Sequence, residues 1–293
     1  MKKYIAPGAR LLAWLLATVI LAGCSEQKGT LMNAPDRSSK KYDLVLVHGL
    51  LNKHRWSPAF LDVCLRAWGS GRVFVVFTNS AATVETKILN DRRYTAIGRD
   101  DHTAGTADIP TQTAYLENAV KILQAGHGLS AHFDLIAHSM GGLVSRHYIH
   151  RNPDVVAGLV TLGTPHQGSP LADSFEWAGF FLGAREAIKA LRPESAARFN
   201  ETHPASAARL LDGGAIQTIR GNCPAGDCFG WGGELALGWR VLKTFYNLDS
   251  DGLVPQASAL LAGAGHLADF NTFDHQALAR EPSVAAAAAA CLP

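Results

Sequence analysis

Phe133-Asp134-Leu135-Ile136-Ala137-His138-Ser139-Met140-Gly141-Gly142-Leu143 runs from an apolar segment, through a serine set among small residues, into a segment with helical spacing. Phe133 to Ala137 reads as a strand buried on both faces, and Gly142 to His150 as the helix that follows it. Ser139 thus falls at the carboxyl end of a buried strand, where open α/β sheets collect their chemistry. A sharp strand-to-helix turn at a nucleophilic serine requires small neighbours, and Ala137 and Gly141 stand two residues to either side. The plainer alternative is a serine that caps the helix beginning at Met140.

Similar patterns recur outward from this turn. Leu44 to Val47, Val73 to Phe77 and Leu159 to Leu162 are short apolar runs of the same kind, while Phe60 to Trp68 and Ala114 to Gln124 have helical spacing, the latter with Leu116, Ala119, Val120 and Leu123 on one side. The alternation predicts an α/β protein with a doubly wound, mostly parallel sheet. Leu171 to Leu211 interrupts it with helix formers and the cluster Phe175, Trp177, Phe180 and Phe181, the pattern of a helical insertion that either caps a lipid site or packs as structure. Asn222 to Trp239 is a Gly-rich interruption. Ala285 to Ala290 reads as a helical or frayed tail without chemistry.

The 293 residues carry a formal charge of +2 and 47% hydrophobic side chains, enough for one sizeable core and without the basic stripe that nucleic-acid binding needs. Lys2, Lys3 and Arg10 precede an apolar run from Leu11 to Leu21 that is too short to span a bilayer and fits a secretory signal. It ends in Leu21-Ala22-Gly23-Cys24, which resembles the lipobox of bacterial lipoproteins. That resemblance implies cleavage after residue 23, acylation of Cys24 and membrane attachment through it, with Ser25 pointing to the outer membrane. Residues 24–41 then form a polar tether and residues 42–293 the domain. Oligomeric state is left open by the sequence.

Export would put Cys64, Cys223, Cys228 and Cys291 in an oxidising compartment, where an even count suggests two disulfides in one of three pairings. Cys223-Pro224-Ala225-Gly226-Asp227-Cys228 looks like a turn closed by a short bridge, which would leave Cys64 with Cys291. No second closely spaced Cys or His pair accompanies it, so a zinc site is not expected.

Four blocks carry a wider resemblance. Val47-His48-Gly49-Leu50, Ala137-His138-Ser139-Met140-Gly141-Gly142, Leu162-Gly163-Thr164-Pro165-His166-Gln167-Gly168-Ser169 and Ser250-Asp251-Gly252-Leu253-Val254-Pro255 resemble, in order and spacing, the bacterial true lipases of the α/β-hydrolase superfamily. The resemblance implies an α/β-hydrolase fold with Ser139 as nucleophile and the backbone N–H groups of Leu50 and Met140 as oxyanion hole. His166 would be structural. In this fold the acid and the base follow the serine in that order. Asp251, which matches the fourth block, would be the acid, with Asp249 next and Asp227 third, and His275, which leaves the carboxyl end of the last strand, the base. His266 would start the last strand, read from His266 to Phe273, and stand roughly 25–30 Å from its carboxyl end at about 3.3 Å per residue. The local alternative for Asp251 is an Asx-turn. His48 and His138 fit hydrogen-bonded roles beside these turns, and His147, His150 and His203 read as surface residues.

The implied reaction is hydrolysis of carboxylic esters, with lipids or other long-chain esters as substrates. A polyester depolymerase or an acyltransferase would use the same three residues, and a non-catalytic envelope lipoprotein is the alternative from another class. No cofactor is expected. Lipases of this kind often hold calcium with a carboxylate two residues after the base, but that position is Ala277, so no metal requirement is predicted.

Overall fold

The computed structural model describes residues 40–52, 55–174, 183–223 and 233–293. Eight strands form one sheet: β1 (Asp43–Val47), β2 (Val73–Val76), β3 (Val84–Leu89), β4 (Arg92–Ile97), β5 (Phe133–His138), β6 (Val156–Leu162), β7 (Ile216–Gly221) and β8 (Gly265–Phe270). Their order is β3-β4-β2-β1-β5-β6-β7-β8, and every neighbouring pair is parallel except the β3–β4 hairpin. The last strand is shorter than the run read from sequence. The chain order along the sheet reverses at β1, so the ends of β1 and β5 meet where a crevice forms.

Period-2 alternation in β1 divides the core. Leu44 and Leu46 face a cluster with Phe60, Leu65, Val284 and Ala288, while Val45 and Val47 face one with Leu116, Leu123, Val144 and Ile149. The first face is covered by α1 (Pro58–Trp68) and the second by α2 (Ile109–Gly126) and α3 (Met140–Arg151). Ser57 and Asp108 cap α1 and α2 through the N–H groups of Phe60 and Thr111, each followed by a proline in the first turn. Asp108 starts α2 five residues before the periodic run does.

Between β6 and β7 the insertion contains α4 (Leu171–Ser174), α5 (Arg185–Ala190) and α6 (Pro193–Thr202). Phe175, Trp177, Phe180 and Phe181 lie outside the described residues. Ala184 and Ala187 pack with Ile109, Met140 and Leu143, and Leu50 and Phe199 lean on the same cluster, so the insertion covers the turn that follows β5. A further helix, α7 (Gly233–Tyr246), precedes β8. Among the described residues no helix is long and apolar enough to cross a membrane.

The alanine run is part of the core. It forms α8 (Pro282–Cys291), whose Val284, Ala285, Ala288 and Ala289 are buried at a spacing of one helical turn. Lys40 donates from Nζ to the carbonyls of Ala289 and Leu292, each at 2.5 Å, and Lys41 N–H reaches the Pro293 carbonyl at 3.3 Å. The expected Cys64–Cys291 bridge is not formed: both are free thiols, Cys64 fully buried in α1. An even count supplies sulfurs but not the facing Cβ vectors and short Cα separation a disulfide needs. Cys223 is fully buried, and Cys228 lies outside the described residues.

The three histidines expected at the surface are instead half-buried between α3 and α6. The His203 ring stands 4.8 Å from that of His147 and 5.1 Å from that of His150. His147 and His150 occupy the helix face that the insertion covers, and their hydrogen bonds to Thr113 and to the Pro204 carbonyl replace water.

Candidate active site

Ser139 follows β5 with φ 55° and ψ −131°, a backbone conformation that a non-glycine residue adopts at a cost of about 1–3 kcal/mol. Its N–H donates to the Leu162 carbonyl at 2.8 Å, which ties the turn to β6. The Ser139 side chain makes no capping bond to α3, so the helix-cap alternative falls. The end of β1 presses against it. A Cβ on Gly49 would stand 2.6 Å from Ser139 Cβ and 3.1 Å from Oγ, a separation only a glycine tolerates.

His48 shapes that approach. Its Nδ1–H donates to the Gly49 carbonyl at 2.6 Å, while Nε2 accepts the Thr78 N–H at 3.0 Å. An acceptor role at Nε2 requires the neutral ring, and complete burial pushes His48 down to about 4. The Thr78 hydroxyl passes on to Gln112 on α2 at 2.9 Å. Leu50 then opens a short 3-10 turn in which Leu51 and Asn52 have φ of 57° and 46°. Among the described residues no backbone carbonyl takes the N–H of Leu50 or of Met140. Both amides belong to turns that flank Ser139, at the first positions of their helices, where such groups lack an intrahelical partner.

Asp251 and His275 come together on the loops beyond β7 and β8. His275 Nδ1–H donates to Asp251 Oδ2 at 2.7 Å, and both side chains are almost completely buried, at 1% and 2% exposure. The other carboxylate oxygen, Oδ1, accepts the N–H groups of Leu253 at 3.0 Å and Val254 at 2.7 Å. Asp251 therefore builds an Asx-turn with one oxygen and engages the imidazole with the other. A second bond, from the His275 N–H to the Asp251 carbonyl at 2.8 Å, fixes the two loops to one another. Gly163, with φ 55°, lies against the pair: a Cβ there would be 3.0 Å from Asp251 Oδ2 and 3.2 Å from His275 Nδ1.

The remaining candidates lie elsewhere. Asp249 is exposed and paired with Lys243 at 2.8 Å. His266, at the start of β8, meets Asp269 at 2.8 Å and the Thr218 hydroxyl at 3.0 Å. Asp227 and Cys24 lie outside the described residues. Ala277 donates its N–H to the Asp274 carboxylate at 2.7 Å, a local cap for the turn after His275. His138 has a structural reach the sequence did not reveal: its ring lies 4.6 Å from that of His275, tilted by 44°, and Nε2–H donates to the His275 carbonyl at 2.8 Å.

A mostly parallel eight-stranded sheet with a serine on a strained turn after its central strand is the architecture of the α/β hydrolases, and the chain has that fold. The model of the PGAP1-like alpha/beta domain matches residues 76–209, a span that includes Ser139 and ends before Asp251. A triacylglycerol lipase of Burkholderia plantarii is 29% identical over 174 residues, covering 56% of this chain and 42% of that protein. A triacylglycerol lipase of Pseudarthrobacter phenanthrenivorans is 52% identical over 40 residues, 14% of this chain and 12% of the relative. The chain thus spans less than half the length of these curated relatives. Among solved structures, a Bacillus licheniformis lipase in mature form superposes with a TM-score of 0.57 at 24% identity, covering 84% of this chain and 89% of that one. A metagenomic carboxyl esterase gives the same TM-score of 0.57 at 19% identity, with 81% and 65% coverage. These two likenesses bear on the fold.

Proposed function

We propose that the protein hydrolyses carboxylic esters through an acyl-enzyme on Ser139. The buried Asp251–His275 bond carries this reading, because it presents a fixed imidazole tautomer on the sheet end where Ser139 stands. His275 Nε2 takes the serine proton as Oγ attacks the ester carbonyl, and Asp251 stabilises the imidazolium that results. The N–H groups of Leu50 and Met140 receive the developing oxyanion. Collapse of the tetrahedral intermediate expels the alcohol, which takes the proton from His275, and water then repeats the sequence to release the acid.

Lipids and other long-chain esters are the substrate class this reading favours, supported by the two relatives described as triacylglycerol lipases. The helical insertion over Met140 would act as a cap. The reading extends to the N-terminus: residues 1–23 direct export, acylated Cys24 holds the protein at the outer membrane, residues 24–41 tether it, and Cys223 closes a short disulfide with Cys228. Hydrolysis of p-nitrophenyl esters by the purified protein, with covalent labelling of Ser139 by a fluorophosphonate, tests the chemistry. Labelling at another serine, or no turnover of any ester from short to long chain, would refute it.

A further inference from the structure

Among the described residues Arg146 is a buried charge without an opposite one. It projects from α3 two helical turns beyond Ser139 and is completely buried. Nη2 donates to Asn200 Oδ1 at 2.6 Å, and the guanidinium lies 4.6 Å over the Phe199 ring, both residues on α6. Its Nε and Nη1 groups meet no hydrogen-bond acceptor, and among the described residues no carboxylate pairs with it.

The neighbours repeat the pattern. Asn200 turns its other end to the His166 carbonyl at 2.8 Å, which brings the loop after β6 to the same place. His166 is fully buried, bonded through Nε2 to the Thr161 hydroxyl at 3.1 Å, with Nδ1 unpartnered. The hydroxyl of Thr164, buried against Gly142 one turn before Arg146 on the same face of α3, is unpartnered too. The titratable groups around the guanidinium are His150 on α3, His166 on the loop and His203 after α6, all held toward the neutral form by burial and by Arg146 itself. His147 joins their cluster. His147 senses one acid, Glu117 on α2, and that carboxylate is taken by Arg151 at 2.7 Å.

An isolated charge in such a setting costs several kcal/mol unless an opposite charge accompanies it. Burial lowers Arg146 only to about 10, so it stays cationic at neutral pH. We infer that a small monovalent anion, of the size and chemistry of chloride, binds between α3, α6 and the loop after β6, held by Arg146 Nε–H or Nη1–H. The Thr164 hydroxyl supplies a second donor, and His166 Nδ1–H a third in the tautomer in which the Thr161 hydroxyl donates to Nε2 at 3.1 Å rather than to the Gln217 carbonyl at 3.3 Å. The anion would thereby fasten the insertion to the helix that carries Ser139.

Thermal unfolding of the full chain at constant ionic strength tests this, with sodium gluconate exchanged stepwise for sodium chloride or bromide. The expected result is a saturable rise in Tm of roughly 2–4 °C with either halide. In Arg146→Met, which keeps an apolar stem, the halide response should vanish. Crystals grown in bromide should show an anomalous peak within hydrogen-bond distance of the guanidinium, a readout that does not depend on the variant folding. Equal Tm in gluconate and halide, or an ordered water in place of the bromide peak, would overturn the proposal. Neither result would bear on ester hydrolysis, which is read separately with p-nitrophenyl esters.

Discussion

The imidazole of His138 holds the backbone of His275: its Nε2–H donates to the His275 carbonyl at 2.8 Å while the two rings lie 4.6 Å apart, tilted by 44°. The residue just before Ser139 thus anchors the loop that presents the proposed base. Removing the bond in His138→Ala should lower kcat on a soluble short-chain ester about tenfold and leave KM nearly unchanged, since the base would be misplaced without loss of substrate contacts. His138→Gln, which keeps an N–H donor, should recover part of that loss. A defect that appears only as a lower Tm, with kcat intact, would make His138 a packing residue.

Ser139→Ala should abolish turnover and fluorophosphonate labelling while the far-ultraviolet circular dichroism stays unchanged. Gly49→Ala acts differently. Its Cβ would meet Ser139 Cβ at 2.6 Å, so one of the two turns must move. Turnover should fall at least a hundredfold, together with a lower Tm, in a protein whose Ser139 is chemically intact.

The two oxygens of Asp251 separate catalysis from folding. Asp251→Asn retains one oxygen for the Leu253 and Val254 N–H groups and should fold, yet lose about 10³–10⁴ in kcat because the imidazole tautomer is no longer fixed. Asp251→Ala removes both functions and should also unfold at lower temperature. Asp249→Asn, which breaks only an exposed ion pair, should be within a factor of two of wild type by ester assay.

Acid should weaken the fold through His48. Its folded value of about 4 lies below the ordinary 6.5, so the unfolded chain binds a proton in that interval that the native ring does not. Stability contributed by the neutral ring is therefore complete above pH 6.5 and declines as pH falls towards 4, by up to about 3 kcal/mol. Urea unfolding at pH 7, 5.5 and 4 should show this slope, and His48→Gln should flatten it. An unchanged slope would assign the acid sensitivity to other groups.

Strands β1, β2, β5 and β6 were legible because each is covered on both faces and so reads as an unbroken apolar run. The β3–β4 hairpin was not: it stands at the sheet edge, its residues alternate with charges such as Glu85, Lys87 and Arg93, and the Asn90-Asp91 turn with positive φ is its clearest mark. Polar residues likewise hide β7, where Gln217, Thr218 and Arg220 interrupt the pattern. In α8 the alanines gave little hydropathic signal, yet their small size is what lets the helix approach the sheet. Ser139 and Asp251 were readable as motif positions, and His275 by its place after the last strand. The contacts that orient them, from His138 and Gly163, depend on loops distant in sequence and leave no local mark.

The bonds from Lys40 and Lys41 to the end of α8 close the described domain into a ring at the edge where β1 begins, opposite the crevice. With the Lys41 N–H and the Pro293 carbonyl 3.3 Å apart, a linker of a few residues could splice one end to the other. The chain could then be cut anew in the exposed Asn90-Asp91 turn without crossing any strand of the sheet. Such a circular permutant would carry its free ends on the far flank, and a fusion partner or surface attachment added there would leave the entrance above Ser139 unobstructed.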